Sequence, residues 1–347
     1  MKKIFKAGWV ILALGAVLAI VGAAFNGVKA VEFNGFKVQT VKKDTAITKT
    51  YAKKEFERIE FVNGSGYFVP MELEIKQGQD YSVSYSGSSR FEPKIDYQNG
   101  TLKVARGQEM HGFSFDFNNY RSKIDSKLII TVPENVKLSF VKVNGNYDNI
   151  KLEKLNIATL ELEANSSEKL SLNEVTTERT DIDMNTDEVT LTNSKLNNGE
   201  LSLVADLVVS GGELTNINVK VDSEGRVYYK DGLVLNGGGT QLADEVYGYE
   251  SDDDNDADND SDYADNSEPN AELDADTITI KGKYEIKNNT GVTRIMNATV
   301  QGYRLTNKHG KNNLHDQQQT NGGTLEENAD QADVLTLSSR TGENTVK

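Results

Sequence analysis

Leu160-Glu-Leu162, Leu170-Ser-Leu172, Val189-Thr-Leu191 and Leu201-Ser-Leu203 each place apolar side chains two residues apart around a polar one. That period of two is the pattern of a strand with one face buried. Working outward, the same alternation appears at Tyr81-Ser-Val83-Ser-Tyr85, Leu138-Ser-Phe140 and Thr277-Ile-Thr279-Ile280. From Lys127 to about Leu235 these triplets recur every 10 to 20 residues, joined by Asn, Asp, Ser, Thr and Glu. Each offers only two or three inward apolar residues, too few to stand alone, so burial must come from stacking one coil on the next. No stripe of apolar positions at helical spacing lasts three turns beyond the N-terminal segment. The expectation is an all-β chain: a right-handed parallel β-helix-like solenoid, with an antiparallel β-sandwich as the alternative. Phe56 to Val104, with aromatic strands and Gly-containing turns, reads as β-hairpins preceding the solenoid, and Asn307 to Asp333 as a long polar loop or tail segment. Eight Asn-Gly pairs mark candidate chain reversals.

The N-terminus carries a different signal. Lys2, Lys3 and Lys6 precede an uncharged apolar run from Ala7 to Phe25, 19 residues long. As a helix it would rise about 28 Å, close to the hydrocarbon thickness of a bilayer. Its length suits a retained anchor, whereas Val28-Lys29-Ala30 and Gly22-Ala23-Ala24 would also suit signal-peptide cleavage. The preceding lysines predict a cytoplasmic N-terminus and an extracellular C-terminal bulk, with secretion after cleavage as the alternative. The organisation expected is a membrane anchor or signal segment at 1–30, a linker at 31–50 and a β domain at 51–347.

Of 347 residues none is cysteine, which excludes disulfides, thiolate metal sites and cysteine nucleophiles. The formal net charge is −15, but Glu250 to Asp276 holds 13 acidic residues and no Lys or Arg. The rest of the chain is nearly neutral, without the basic stripe that nucleic acid demands. The segment 250–276 reads as an acidic disordered insert. Within it Asp254, Asp256, Asp258, Asp260, Asp262 and Asp265 match positions 1, 3, 5, 7, 9 and 12 of a calcium loop. The sixth position is Asn259 rather than Gly, the twelfth is Asp rather than Glu, and flanking helices are missing. Calcium is thus the one cofactor the sequence raises, against a plain solvated acidic loop.

Catalytic constellations are sparse. His111, His309 and His315 lack zinc-site spacing, and Gly64-Ser65-Gly66 lacks the nucleophile-elbow pattern and reads as a turn. Asp181-Ile-Asp183 with Arg179 gives an acid pair and a basic residue on a strand, with both acids on one face, as polysaccharide cleavage would require. Outward acidic positions on strands are also ordinary, and no catalytic residue, cofactor site or resident metal is assigned.

Phe56-Glu-Arg-Ile-Glu-Phe-Val-Asn-Gly-Ser-Gly66, Leu73-Glu-Ile-Lys-Gln-Gly78, Tyr81-Ser-Val-Ser-Tyr85 and Asn99-Gly-Thr-Leu-Lys-Val104 together resemble the opening of the bacterial putative adhesin family, a domain of unknown function. Lys127 to Pro133, and the closing stretch from Leu335 to Thr345, are similar to it as well. The resemblance covers roughly residues 50 to 345. It implies β-helical stacking behind one N-terminal membrane helix in the envelope of Gram-positive bacteria, sometimes near envelope-stress regulators. It transfers no catalytic motif, and the acidic insert departs from its pattern. The function expected is a non-catalytic, adhesin-like envelope protein, whose partners are the membrane and cell-wall or host glycans or envelope proteins. The alternatives are an accessory sensor of an envelope-stress system acting through the helix and, further off, a polysaccharide-cleaving enzyme.

Overall fold

The computed structural model describes residues 44–62, 71–105, 124–222, 225–242 and 271–347, the backbone of 31–34, 37–40, 68–70 and 114–115, and Leu12, Gly15 and Val17, which are helical. Among the described residues no helix is long and apolar enough to cross a membrane. The apolar run at 7–25 lies outside them apart from those three positions.

The coil Asn156–Asn173 shows the building unit. Ile157, Leu160, Leu162, Ala164, Leu170 and Leu172 point inward and are buried, while Glu161, Glu163, Lys169 and Ser171 point out. Thr176–Thr192 lies on it in parallel, Leu162 against Ile182 and Leu172 against Leu191, and Lys195–Ser210 continues the stack. The inward column Val141, Leu160, Thr180 and the column Val143, Leu162, Ile182, Leu201, Val219 fill the interior. Each coil thus buries its few apolar residues against the next, and the stacked-coil expectation is met; the sandwich alternative is not.

Corners are made by residues in the left-handed region. Lys154, Glu174 and Asn193 have φ of 54°, 54° and 48°. The N–H of each donates to the carbonyl one coil on, Asn173, Thr192 and Ser210 respectively, so the ladder continues around the bend. A second corner stacks Asn198, Asn216 and Gly237, with Asn216 Nδ2 donating to Asn198 Oδ1 at 3.2 Å. A third is tight and Gly-bearing: Asn288-Asn-Thr-Gly291, Ser339-Arg-Thr-Gly342 and Asn307-Lys-His-Gly310. Asn288 Oδ1, Ser339 Oγ and Asn307 Oδ1 accept the N–H of Gly291, Gly342 and Gly310. Gly291 and Gly342 are required by close approach: a Cβ would sit 1.6 Å from the Ala271 carbonyl oxygen and 1.9 Å from that of Gly291.

Two faces carry the long ladders. On the front face Arg58–Val62, Lys137–Asn144, the three long coils, Glu213–Val221, Val234–Leu242 and Lys283–Asn288 run in parallel. On the back face the corresponding rungs include Phe68–Gly78, Asn146–Glu153, Arg226–Lys230, Glu272–Asp276 and Val292–Met296. Late strands interleave with early ones. Val334–Ser339 lies between Lys283–Asn288 and Gly302–Asn307, and Glu343–Val346 between Val292–Met296 and Lys311–Leu314. Near the other end Lys127–Pro133 lies between Phe68–Gly78 and Ser82–Ser88.

Four sequence expectations need correction. Residues 56–104 do not form hairpins ahead of the stack. Arg58–Val62 and Phe68–Gly78 are parallel rungs within it, and the hairpin there is Lys94–Gln98 with Thr101–Ala105. Its Asn99-Gly100 turn has φ of 49° and 73°, as a two-residue reversal requires. The stretch 31–50, read as linker, contains Ala46–Thr50, which pairs antiparallel with Ser82–Ser88. The last residues of the acidic segment 250–276 form the strand Glu272–Asp276, because Ala271, Leu273 and Ala275 are buried between its acids. Asn307 to Asp333 is not a loop: Gly302–Asn307 pairs antiparallel with Gly323–Glu327, and Lys311–Leu314 with Gln317–Gln319.

In the middle of the core Thr240 Oγ1 lies 2.8 Å from Tyr229 Oη and 2.7 Å from Tyr284 Oη, so these three buried hydroxyls satisfy one another. Burial pushes the Tyr284 phenol up to about 12, which keeps the cluster neutral across the physiological range.

Candidate functional site

On the front face the parallel register lines up Lys142, Glu161, Asp181 and Glu200 in one outward column. The next column holds Asn144, Glu163, Asp183, Ser202 and Lys220. Because rungs repeat every ~4.8 Å, five carboxylates occupy three rungs. The cations sit at the margins. Lys142 Nζ is 3.1 Å from Glu161 Oε2, and Lys220 Nζ is 2.8 Å from Glu200 Oε1. Asn144 Nδ2 donates to Glu163 at 2.7 Å. The Lys220 hydrogen bond, with a second from Ser202, holds the Glu200 carboxyl below the usual carboxylate range. Asp181 and Asp183 take no ion-pair partner among the described residues. Lys142, Glu161, Glu163, Asp181 and Asp183 border a shallow open concavity of about 190 Å³ floored by Val143 and Leu162.

The back face differs. Its charges are paired across rungs: Lys169 with Glu188, Arg294 with Glu272 and Asp274, and Lys127 with Glu72 and Glu74.

Residues 69–231 match the Toastrack DUF4097 family. The chain is similar to the Toastrack family over that span. The acidic columns of the front face, from Lys142 to Lys220, fall inside the Toastrack span. No curated protein matches the chain. Among solved structures it is similar to a putative adhesin from Bacteroides fragilis, with 11% identity, 87% of this chain and 97% of the other covered, and a TM-score of 0.42. A putative adhesin from Parabacteroides distasonis has 9% identity, the same coverages and a TM-score of 0.38. A putative cell adhesion protein from Clostridium sporogenes has 14% identity, coverages of 88% and 99%, and a TM-score of 0.20.

Within the matched span, the structure brings Asp181 and Asp183 together as the sequence suggests: both are exposed on one strand with Ile182 buried between them, and Arg179 is exposed two residues before Asp181. The neighbours Glu161, Glu163 and Glu200 were missed, because their approach depends on register between coils that a single sequence does not print. Asp254, Asp256, Asp258, Asp260, Asp262 and Asp265 lie outside the described residues, as do His111 and Gly64-Ser65-Gly66. Among the described residues no group of three or more His, Asp or Glu is placed to hold a metal ion. His309 and His315 do not converge. His315 is a corner residue at φ 51°, with Nδ1 2.9 Å from Glu327 and its ring edge-on to Tyr303, whereas His309 donates its N–H to the Arg340 carbonyl.

Proposed function

We propose that the Toastrack domain is a non-catalytic, adhesin-like binding module of the cell envelope, with the acidic front face as its contact surface. The observation that carries this reading is the column Glu161, Asp181, Glu200 beside Glu163 and Asp183, a regular array matched to a partner that also repeats. Such a partner is a wall or host glycan, or an envelope protein, offering amines and hydroxyls at intervals. Many weak charge-assisted contacts would then add through multivalency. In this reading the apolar segment 7–25 holds the module at the membrane with the β stack outside the cell.

The test is binding of the detergent-solubilised full chain to isolated cell walls and envelope fractions. Replacing Glu161, Asp181 and Asp183 together by Gln, Asn and Asn should lower retention at least several-fold, and added salt should do the same to the unmodified chain. Retention unchanged by both would remove the front face from the proposal.

The placement of Asp181 and Asp183 on one exposed face beside a concavity keeps a second reading, polysaccharide cleavage. Incubation with pectin-like and wall polysaccharides separates the two, since new reducing ends or unsaturated products would point to cleavage. Replacing residues 7–25 with an unrelated anchor distinguishes both from a sensor acting through its helix, which would not tolerate the exchange.

A further inference from the structure

Interleaving near the C-terminus leaves a strand-shaped slot. Residues 302–314 precede residues 334–346 in the chain, yet their parallel pairing to the body runs through them. With 334–347 withdrawn, one wall of the slot is the edge of 283–296 and the other the edge of 302–314. Both walls read their occupant by more than main-chain pairing. Asn344 Nδ2 donates to the Thr306 carbonyl and to Asn312 Oδ1, and Asn307 Nδ2 donates to the Gly342 carbonyl at 2.7 Å. The Asp333 carboxylate accepts the Gly282 N–H at 2.7 Å. Gly342 fits where any side chain would strike the Gly291 carbonyl.

None of these contacts depends on which molecule supplies the segment. The tether, residues 328–333, is largely exposed. Seven Cα steps from Glu327 to Val334 reach up to about 24 Å, against about 10 Å for the two rungs to be crossed. We propose that the slot also accepts residues 334–347 of a second copy of this chain, giving a reciprocally strand-exchanged dimer. Exchange replaces each native contact by its equal, so its cost is confined to the tether and to association.

The chain has no cysteine, which allows a direct test. Thr306 and Ser338 are register partners on the outward face. Thr306→Cys and Ser338→Cys full chains, co-expressed and purified in detergent, are treated with a short bismaleimide. A background lacking residues 328–332 leaves about 7 Å of tether, too short for self-closure across about 10 Å. In it the mixed dimer should crosslink at least ten-fold above a Ser202→Cys with Ser338→Cys control. With the native tether the same crosslink should appear and rise with expression level. A monomeric shortened chain, or a dimer without the 306–338 link, overturns the proposal. If the shortened chain does not fold, the native-tether pair decides, and no intermolecular link at any expression level overturns it equally.

Discussion

The coils from Asn156 to Val221 and those from Lys283 to Val346 share one geometry but are held together differently. In the first group, chain order and stacking order coincide, and the inward back-face column is aliphatic: Leu170, Val189, Leu207. In the second, the order is scrambled, and the same column becomes Thr293, Asn344 and Asn312, all buried. The first group is stabilised by non-directional burial that tolerates growth one coil at a time. The second relies on directional hydrogen bonds that fix which strand enters where, as buried polar groups do when each has one acceptable partner.

The most drastic way to break this contrast is to end the chain after Asp333. The amides of Lys283–Asn288, Val292–Met296 and Gly302–Asn307 should then lose hydrogen-exchange protection together, while those of Asn156–Ser210 keep theirs; equal loss in both groups would mean one cooperative unit. Next in size is Leu201→Ala in the aliphatic group. Leu201 is fully buried, and its truncation should cost about 2–5 kcal/mol in urea unfolding. Asn344→Ala strips the donor from the Thr306 carbonyl and Asn312 Oδ1, for an expected loss of about 1–3 kcal/mol. Thr293→Val should go the other way, since the Thr293 hydroxyl is buried without a partner among the described residues. A gain of up to about 1 kcal/mol is expected, and a clear loss would show that the hydroxyl is satisfied after all.

The smallest effects concern acid at the N-terminal end. Burial raises the Glu74 carboxyl, but the hydrogen bonds and charges of Lys127 and Lys76 outweigh it and hold it below 4.5. Its contribution is complete above that unfolded value and is lost as pH falls through the lower folded one. Asp148 is raised above 3.8 by burial, with Glu168 and Asp125 adding to it. Its penalty is felt above its folded value and disappears as pH drops through it. Asp148→Asn should therefore stabilise at about pH 7 and lose that advantage in acid, whereas Glu74→Gln should destabilise at about pH 7 and flatten the acid limb.

Much of this was legible. Leu160-Glu-Leu162 and its repeats gave the alternation, and their short span implied stacking. Asp181 and Asp183 were placed on one exposed face for the same reason. What the pattern hid was the role of polar residues inside. Asn307, Asn312 and Asn344 break the apolar alternation, so 307–333 read as a loop although Asn307 and Asn312 are buried and donate to carbonyls. Likewise Leu273 and Ala275 were masked by the acids around them. A signal existed: Asn288, Ser339 and Asn307 each precede a Gly by three residues, and Asp222 precedes Gly225 in the same way, marking one corner of successive coils. Strand order itself was out of reach, because interleaving is decided by contacts between segments far apart in the chain, such as Ser338 with Glu285, 53 residues away.

That corner has a consequence for how the chain can be altered. Leu242 pairs with Asn288, and Ala271 accepts the Val292 N–H, so the stack breaks off at Leu242 and resumes at Ala271 beside a vertex that Asn288 to Gly291 crosses with two intervening residues. The stack keeps its register across a guest of 28 residues at this one vertex. Foreign peptides grafted between Asp222 and Gly225, or between Asn288 and Gly291, should be carried as passengers, making the vertex a ready seam for display and for divergence between relatives.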